Sequence, residues 1–148
     1  MEWIRAETME QLREAFAIRM EVFVKEQGVP ADIELDEYDE SPLSCRHYIV
    51  RSDQDGVVAA GRYRSYEPGV AKMQRIAVLK RSRGTGVGSY LLSAMEDEAR
   101  SEGYQASILD AQCSAEPFYR KLGYETVSIE PFLDAGIPHV RMRKSLNK

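Results

Sequence analysis

Two cysteines, two histidines, one tryptophan and six prolines are spread over 148 residues, and this scarcity excludes several kinds of chemistry. Cys45 and Cys113 stand far apart with no CxxC spacing, so both are read as reduced thiols rather than a disulfide or zinc ligands. His47 and His139 share no HxxxH-type spacing, and no metal centre is expected. No apolar stretch has the length a bilayer requires, and the start, MEWIRAETMEQ, lacks the basic region, apolar core and cleavage site of a secretory signal. A cytoplasmic protein with no membrane partner is expected. The excess of acidic over basic residues is small as well. The 24 acidic and 20 basic residues give a formal net charge of −4, whereas a non-specific nucleic-acid binder would carry a basic face. No GxSxG elbow supports a serine triad, and no GxxxxGK run followed by Ser or Thr supports a triphosphate loop.

What is present is an ordinary globular composition, 43% hydrophobic and 30% charged, in a length that suits a single domain over residues 1–148. Residues 2–7 alternate as a short strand would. Over residues 9–27, Leu12, Phe16, Met20, Phe23 and Val24 fall on one stripe at helical spacing, and Gly28 with Pro30 ends the helix. Residues 28–46 carry prolines, a glycine and six acids with no cation before Arg46, and read as a long loop of the kind that serves as a lid or binding segment. A hairpin over 47–52 and 57–66, a strand at 70–80, a helix at 87–103 stopped by Gly103 and a buried strand at 104–111 follow. A short helix over 114–124 is marked at its start by Ser114 and Pro117 and at its end by Gly123. Strands near ETVSI and at HVRMRKS close the chain, separated by the turn-rich EPFLDAGIP. Residues 70–111 are expected to form a parallel strand–helix–strand crossover, and the hairpins to be antiparallel. The class is therefore α/β (α+β mixed), a mixed sheet with helices on both faces.

Between the strand and the second helix lies LKRSRGTGVGSYLL, residues 79–92. A strand ending in a glycine turn that opens a helix aims backbone N–H groups and the positive end of the helix dipole at one spot, which suits a phosphate. Lys80, Arg81 and Arg83 add charge at the rim, and Gly84, Gly86 and Gly88 let a ligand approach the backbone. The same residues also satisfy a plain tight turn with a solvated edge. GTGVGS nearly matches the dinucleotide fingerprint, and Asp110 lies roughly where a ribose-binding acid would stand, but the third glycine is one position early and KRSR separates it from the strand. RxxGxG, as Arg83, Gly86 and Gly88, is the better match.

Through that RxxGxG, the stretches RIAVLKRSRGTGVG and AEPFYRKLGY, and the order of elements, the chain resembles the GNAT superfamily of N-acetyltransferases. FVKEQGVPADIELDEYDE and FLDAGIPHVRM are similar to its bacterial YjcF/ElaA-like branch. The resemblance implies a GNAT-like fold, a twisted mixed sheet of six to seven strands whose central parallel pair splays. It also implies acyl transfer from acetyl-coenzyme A, the acyl-donor substrate, directly to a primary amine of a small molecule or protein, in a monomer or homodimer. On this resemblance Ile76, Ala77 and Val78 run beside the donor's pantetheine arm. Arg81, Arg83, Gly84, Thr85, Gly86, Val87, Gly88 and Ser89 hold its pyrophosphate, and a backbone N–H of 76–78 polarises the thioester carbonyl. Tyr119 becomes the general acid for the leaving thiolate, whereas spacing alone makes it a core aromatic. Glu26, Gln27, Asp36 and Asp39 of the branch-like motif, with Gln112 and His139, are the acceptor-side candidates. Many family members carry a glutamate on the strand at 70–79 where this chain has Gln74, which leaves the base among a water chain, Glu26, Asp110 and His139. Arg120, Lys121 and RMRKSLNK are either contacts to the adenosine 3′-phosphate or plain surface. The acids of 28–46 either attract a cationic acceptor or form a solvated surface. A non-catalytic coenzyme A or nucleotide-binding sensor module and a dinucleotide-dependent oxidoreductase are the alternatives.

Overall fold

The computed structural model describes residues 1–147, so Lys148 at the end of RMRKSLNK lies outside the described residues. The strands are β1 (Glu2–Arg5), β2 (Arg46–Ser52), β3 (Gly56–Glu67), β4 (Val70–Val78), β5 (Ala106–Gln112), β6 (Glu125–Thr126), β7 (Phe132–Asp134) and β8 (Ile137–Ser145). The α-helices are α1 (Met9–Arg19), α2 (Ala31–Glu34), α3 (Val87–Ser101) and α4 (Glu116–Lys121). Strand order is β1-β2-β3-β4-β5-β8-β6, with β7 paired to β8. This is the expected mixed sheet with one strand more than the expected six to seven, because EPFLDAGIP contributes β7 and the turn at Ala135–Gly136. The chain divides into two compact units.

The first unit comprises Met1–Arg64 and Arg75–Met95. Its strands β1, β2 and β3 pair antiparallel, as the hairpin signal predicts, with Ile4 opposite Ile49 and Ile49 opposite Ala60. Thr8 caps α1 by accepting from the Gln11 N–H. The helix predicted over 9–27 then changes character, since Met20–Glu26 is π-helical. The face it buries also differs from the predicted stripe. Leu12, Ala15, Ile18 and Val22 are buried, while Phe16, Met20 and Phe23 are only partly covered. Small side chains at Ala15 and Ala60 let α1 close on the sheet around Ile18, Val22, Ile49, Ala77 and Leu79. Gly61 serves a similar purpose against α3, where a Cβ would lie 2.9 Å from Met95 Sδ. Residues 28–46 are not a structureless loop. They hold α2 and a 3₁₀ turn over Glu37–Asp39, capped by the Asp36 carboxylate accepting from Tyr38 N–H and the Asp39 carboxylate accepting from Asp36 N–H.

The second unit comprises Ser65–Gln74 and Glu96–Lys148. Here β4 and β5 pair in parallel from Val70–Ala106 to Met73–Leu109, as the crossover predicts, and the pairing uses the first four of the nine residues of β4. β5 pairs antiparallel with β8 from Ala106–Ser145 to Gln112–His139. The short helix is α4 preceded by a 3₁₀ turn over Cys113–Ala115. Its N-cap is Ala115, without a side-chain cap, in place of the predicted Ser114, because that turn already consumes Ser114. Pro117 sits in the first turn, where its missing N–H costs no helical bond. A buried polar chain runs through this unit. The Tyr124 hydroxyl donates to Glu96 (2.8 Å) and meets the Ser107 hydroxyl at 2.7 Å, and Lys144 Nζ donates to the other Glu96 oxygen at 2.8 Å.

Candidate active site

The glycine turn is built as a cradle. Leu79 leaves β4 by donating to the Val58 carbonyl, and Lys80–Ser82 form a 3₁₀ turn. Gly84 and Gly86 then adopt left-handed φ of 78° and 88°, conformations that cost other L-residues about 1–2 kcal/mol. A Cβ at either glycine would meet nothing within 4 Å, so the space over the turn is open. Thr85 Oγ1 donates to the Ser82 carbonyl and Ser89 Oγ to the Gly86 carbonyl, fixing the turn from both sides. Val87, Gly88 and Ser89 form the first turn of α3, whose leading N–H groups have no helical acceptor. A 15-residue helix therefore presents its positive end next to open space and two cations.

Arg83 is engaged on this rim. Its Nε donates to the Val78 carbonyl at 3.0 Å, and its two Nη atoms donate to the Glu26 carboxylate at 2.5 and 2.7 Å. The Arg83 hydrogen bond holds the Glu26 carboxyl below its usual range. Glu26 therefore lies beside the glycine turn, to which the end of the π-helical segment carries it, and Gln27 follows as the C-cap of that segment. Of the other residues of the turn, Arg81 is exposed, and Ile76–Val78 lie at the end of β4 with Ala77 in the apolar core.

Asp36 and Asp39 sit in an ion-pair network. Arg19 donates to Glu34 (2.8 Å) and to both oxygens of Asp39 (2.7 and 2.9 Å). Arg62 donates to Asp36 (2.8 and 2.7 Å) and to Asp39 (2.8 Å). Arg75 reaches the Glu34 carboxylate at 3.3 Å and Asp36 at 3.5 Å. Three guanidinium groups thus match three carboxylates. Arg19 and Arg62 are each 1% exposed. Burial raises the carboxyl pKa of Asp39, but the bonds and charges of Arg19 and Arg62 outweigh it and hold Asp39 well below the usual range. At Glu34 burial wins and the pKa rises. His47 lies beside the network with Nε2 2.8 Å from the Tyr38 carbonyl, so its proton is on Nε2, and burial pushes its pKa down. Cys45 is buried next to it with its thiol pushed up to about 11, first by desolvation, which makes it an inert side chain.

In the second unit, Tyr119 is 9% exposed, and burial pushes its phenol up to about 12. Its ring meets Phe118 and Tyr124 edge-on, at centroid distances of 5.0 and 6.0 Å. Gln112 and His139, far apart in sequence, face each other across β5 and β8. His139 Nδ1 lies 2.7 Å from the Ile137 carbonyl, which only accepts, so Nδ1 donates, and in the neutral imidazole Nε2 carries the lone pair. Its ring stacks on Phe132. Asp110 is held by Arg141 (2.8 and 3.2 Å) and Lys72 (3.3 Å), which outweigh its burial and keep its pKa low. A carboxylate so bound is a poor proton acceptor.

Sequence reasoning missed Arg19, Arg62 and Arg75. The signal available was their setting, an arginine on the buried face of α1 beside Ile18 and another directly after the apolar run VVAAG of β3. Among the described residues no helix is long and apolar enough to cross a membrane, and no group of three or more His, Cys, Asp or Glu is placed to hold a metal ion.

Comparison with known proteins places the chain in a family. Residues 9–146 match the family model described as acetyltransferase (GNAT) domain. The chain is 46% identical over 144 residues to YjcF of Bacillus subtilis, described as an uncharacterized N-acetyltransferase, covering 97% of this chain and 99% of that one. The crystal structure of Escherichia coli ElaA is 25% identical with a TM-score of 0.82, covering 97% and 99% of the two chains. That of an acyl-CoA N-acyltransferase from Pseudomonas aeruginosa is 27% identical with a TM-score of 0.81, covering 97% and 98%. With the family model spanning nearly the whole chain and a relative 46% identical from end to end, this protein belongs to the GNAT acetyltransferases, in their YjcF/ElaA-like branch.

Proposed function

We propose that the protein transfers an acetyl group from acetyl-coenzyme A directly to a primary amine within a ternary complex in the cytoplasm. The observation that carries this reading is the open cradle at Gly84 and Gly86 ahead of α3. The donor pyrophosphate lies on the N–H groups of residues 83–89, with Arg81 and Arg83 supplying positive charge, and the pantetheine arm follows Ile76, Ala77 and Val78. A main-chain N–H of that segment stabilises the tetrahedral oxyanion.

Tyr119 donates to the leaving thiolate. Burial pushes its phenol up to about 12, above an ordinary thiol at about 8.5, so complete transfer of its proton to a free thiolate is uphill. Tyr119 therefore acts as a hydrogen-bond donor while charge develops on sulfur, and solvent completes the protonation. His139 accepts the proton of the attacking amine on Nε2, the nitrogen its Ile137 contact leaves unprotonated. Gln112, opposite His139 across β5 and β8, accompanies it on the acceptor side. Asp36 and Asp39 have their charge matched by arginines, which leaves the attraction of a cationic acceptor to the exposed Asp32, Glu37 and Glu40.

The test is turnover of acetyl-coenzyme A against a panel of primary amines, with Tyr119→Phe beside the native chain. The variant should lose about 100-fold in kcat, as expected for removing one hydrogen-bond donor to a developing charge, and keep its acetyl-coenzyme A affinity. Unchanged kcat removes Tyr119 from the chemistry. Tight donor binding without turnover of any amine favours the sensor alternative.

A further inference from the structure

Among the described residues two non-glycines have left-handed backbone, Ala135 at φ 51° and Arg75 at φ 55°. Ala135 precedes Gly136 in the two-residue turn joining β7 and β8, where positive φ at both positions is ordinary. Arg75 is different. It lies within β4, where extended backbone is the rule, and immediately before Ile76–Val78. A left-handed non-glycine costs about 1–2 kcal/mol and persists only when its surroundings over-determine it.

Those surroundings are the acidic segment. Arg75 Nε donates to the Glu34 carbonyl (3.2 Å) and lies 3.3 Å from the Glu34 carboxylate, while Nη2 reaches Asp36 at 3.5 Å. Neither acid is free to follow Arg75 if it moves. Glu34 is held by Arg19, Asp36 by Arg62, and Asp39 ties Arg19 to Arg62. The guanidinium is therefore clamped to a buried frame anchored in α1 and β3.

We infer that Arg75 is a positioning residue. Its side chain, gripped by Glu34 and Asp36, holds the left-handed kink of β4 and thereby orients the amides of Ile76–Val78 toward the donor. This rests on the reading that those residues carry the pantetheine arm. On this account Glu34, Asp36 and Asp39 serve the donor side rather than attracting an acceptor.

The experiment pairs calorimetric titration with acetyl-coenzyme A and amide hydrogen exchange on the full chain, for the native protein and for Arg75→Gly. Glycine accepts positive φ without strain but also loosens the backbone, so Arg75→Asn, which tolerates positive φ and keeps a Cβ, is measured beside it, and a loss shared by both variants reports the guanidinium. Exchange at residues 76–78 should quicken about tenfold while amides of Val58–Ala60 change by less than about twofold, as expected of local rather than global opening. The acetyl-coenzyme A Kd should rise about tenfold, with a smaller rise for Arg75→Lys, whose point charge cannot fork between two partners. If Arg75→Gly does not fold, Asp36→Asn, which loosens the same grip from an incompletely buried position, should show the same local pattern at smaller size. Exchange that rises uniformly, or a native-like Kd and exchange in the variant, overturns the inference. Failure of the native chain to bind acetyl-coenzyme A overturns the donor reading instead.

Discussion

The glycine turn at 80–89 and the acidic segment at 31–40 are both dense in charge, yet the structure treats them in opposite ways. In the turn, the charged groups are exposed, the Arg83–Glu26 pair lies on the rim, and the space above the glycines is open. In the segment, Glu34 and Asp39 are buried and every charge of the inner network has a partner. A run of acids in a sequence says nothing about where the matching cations are. Here they come from α1, β3 and β4, remote in the chain. The turn leaves its charged groups and the space above its glycines exposed, as the proposed donor site requires, and the segment is occupied with holding itself and β4 together.

The largest effect should come from breaking the segment's network. Arg62→Ala leaves Asp36 and Asp39 under-paired in a buried site and should destabilise the fold by about 3–5 kcal/mol in denaturant unfolding; a loss under about 1 kcal/mol would mean that the network is not held as described. Next comes the turn. Gly86→Val places a β-branched residue at φ 88° and should weaken acetyl-coenzyme A binding about tenfold or more, with a smaller stability cost of about 1–2 kcal/mol. An unaltered Kd would detach the ligand from the turn.

A third prediction concerns acid. Asp36, Asp39 and Asp110 have folded pKa values below their unfolded ones, so their stabilisation is present above about pH 4 and is lost as pH falls through the folded values. His47 is also depressed, so below about pH 6.5 the unfolded chain binds its proton more readily, which adds to the loss. Glu34, raised by burial, works with the opposite sign and favours the folded state on the acid side. Stability should therefore decline from about pH 6.5 and steepen below about pH 4. Asp39→Asn should flatten the steeper part, and an unchanged profile would place the acid sensitivity elsewhere. The smallest effect is expected at the exposed Arg120–Glu116 pair, 3.0 Å apart one turn along α4, where Arg120→Ala should cost less than about 1 kcal/mol.

Much of the fold was legible in the sequence because local signals carried it. Strand alternation, the Gly28, Gly103 and Gly123 stops and the glycine turn each name an element from within a few residues. What was not legible depended on partners remote in the chain. The π-helical turn of Met20–Glu26 has the same composition as an α-helix, and the predicted stripe chose the larger apolar residues where packing chose Ala15 and Ile18. For the candidate site, the glycine turn ahead of α3 could be read from Gly84, Gly86 and Gly88. Glu26, by contrast, turned out to lie beside Arg83, a pairing that joins two segments 57 residues apart. The kink at Arg75 left no mark in the composition, since arginine is not a residue that announces positive φ. The proximity of Gln112 and His139 followed only from the β5–β8 register.

The most direct measurement is a calorimetric titration of the native chain and Gly86→Val with acetyl-coenzyme A, beside NAD. The account predicts saturable one-to-one binding of acetyl-coenzyme A by the native chain, at least about tenfold weaker binding by the variant, the energetic cost of a left-handed valine, and no binding of NAD. Binding of NAD alone, or of neither ligand, would contradict it.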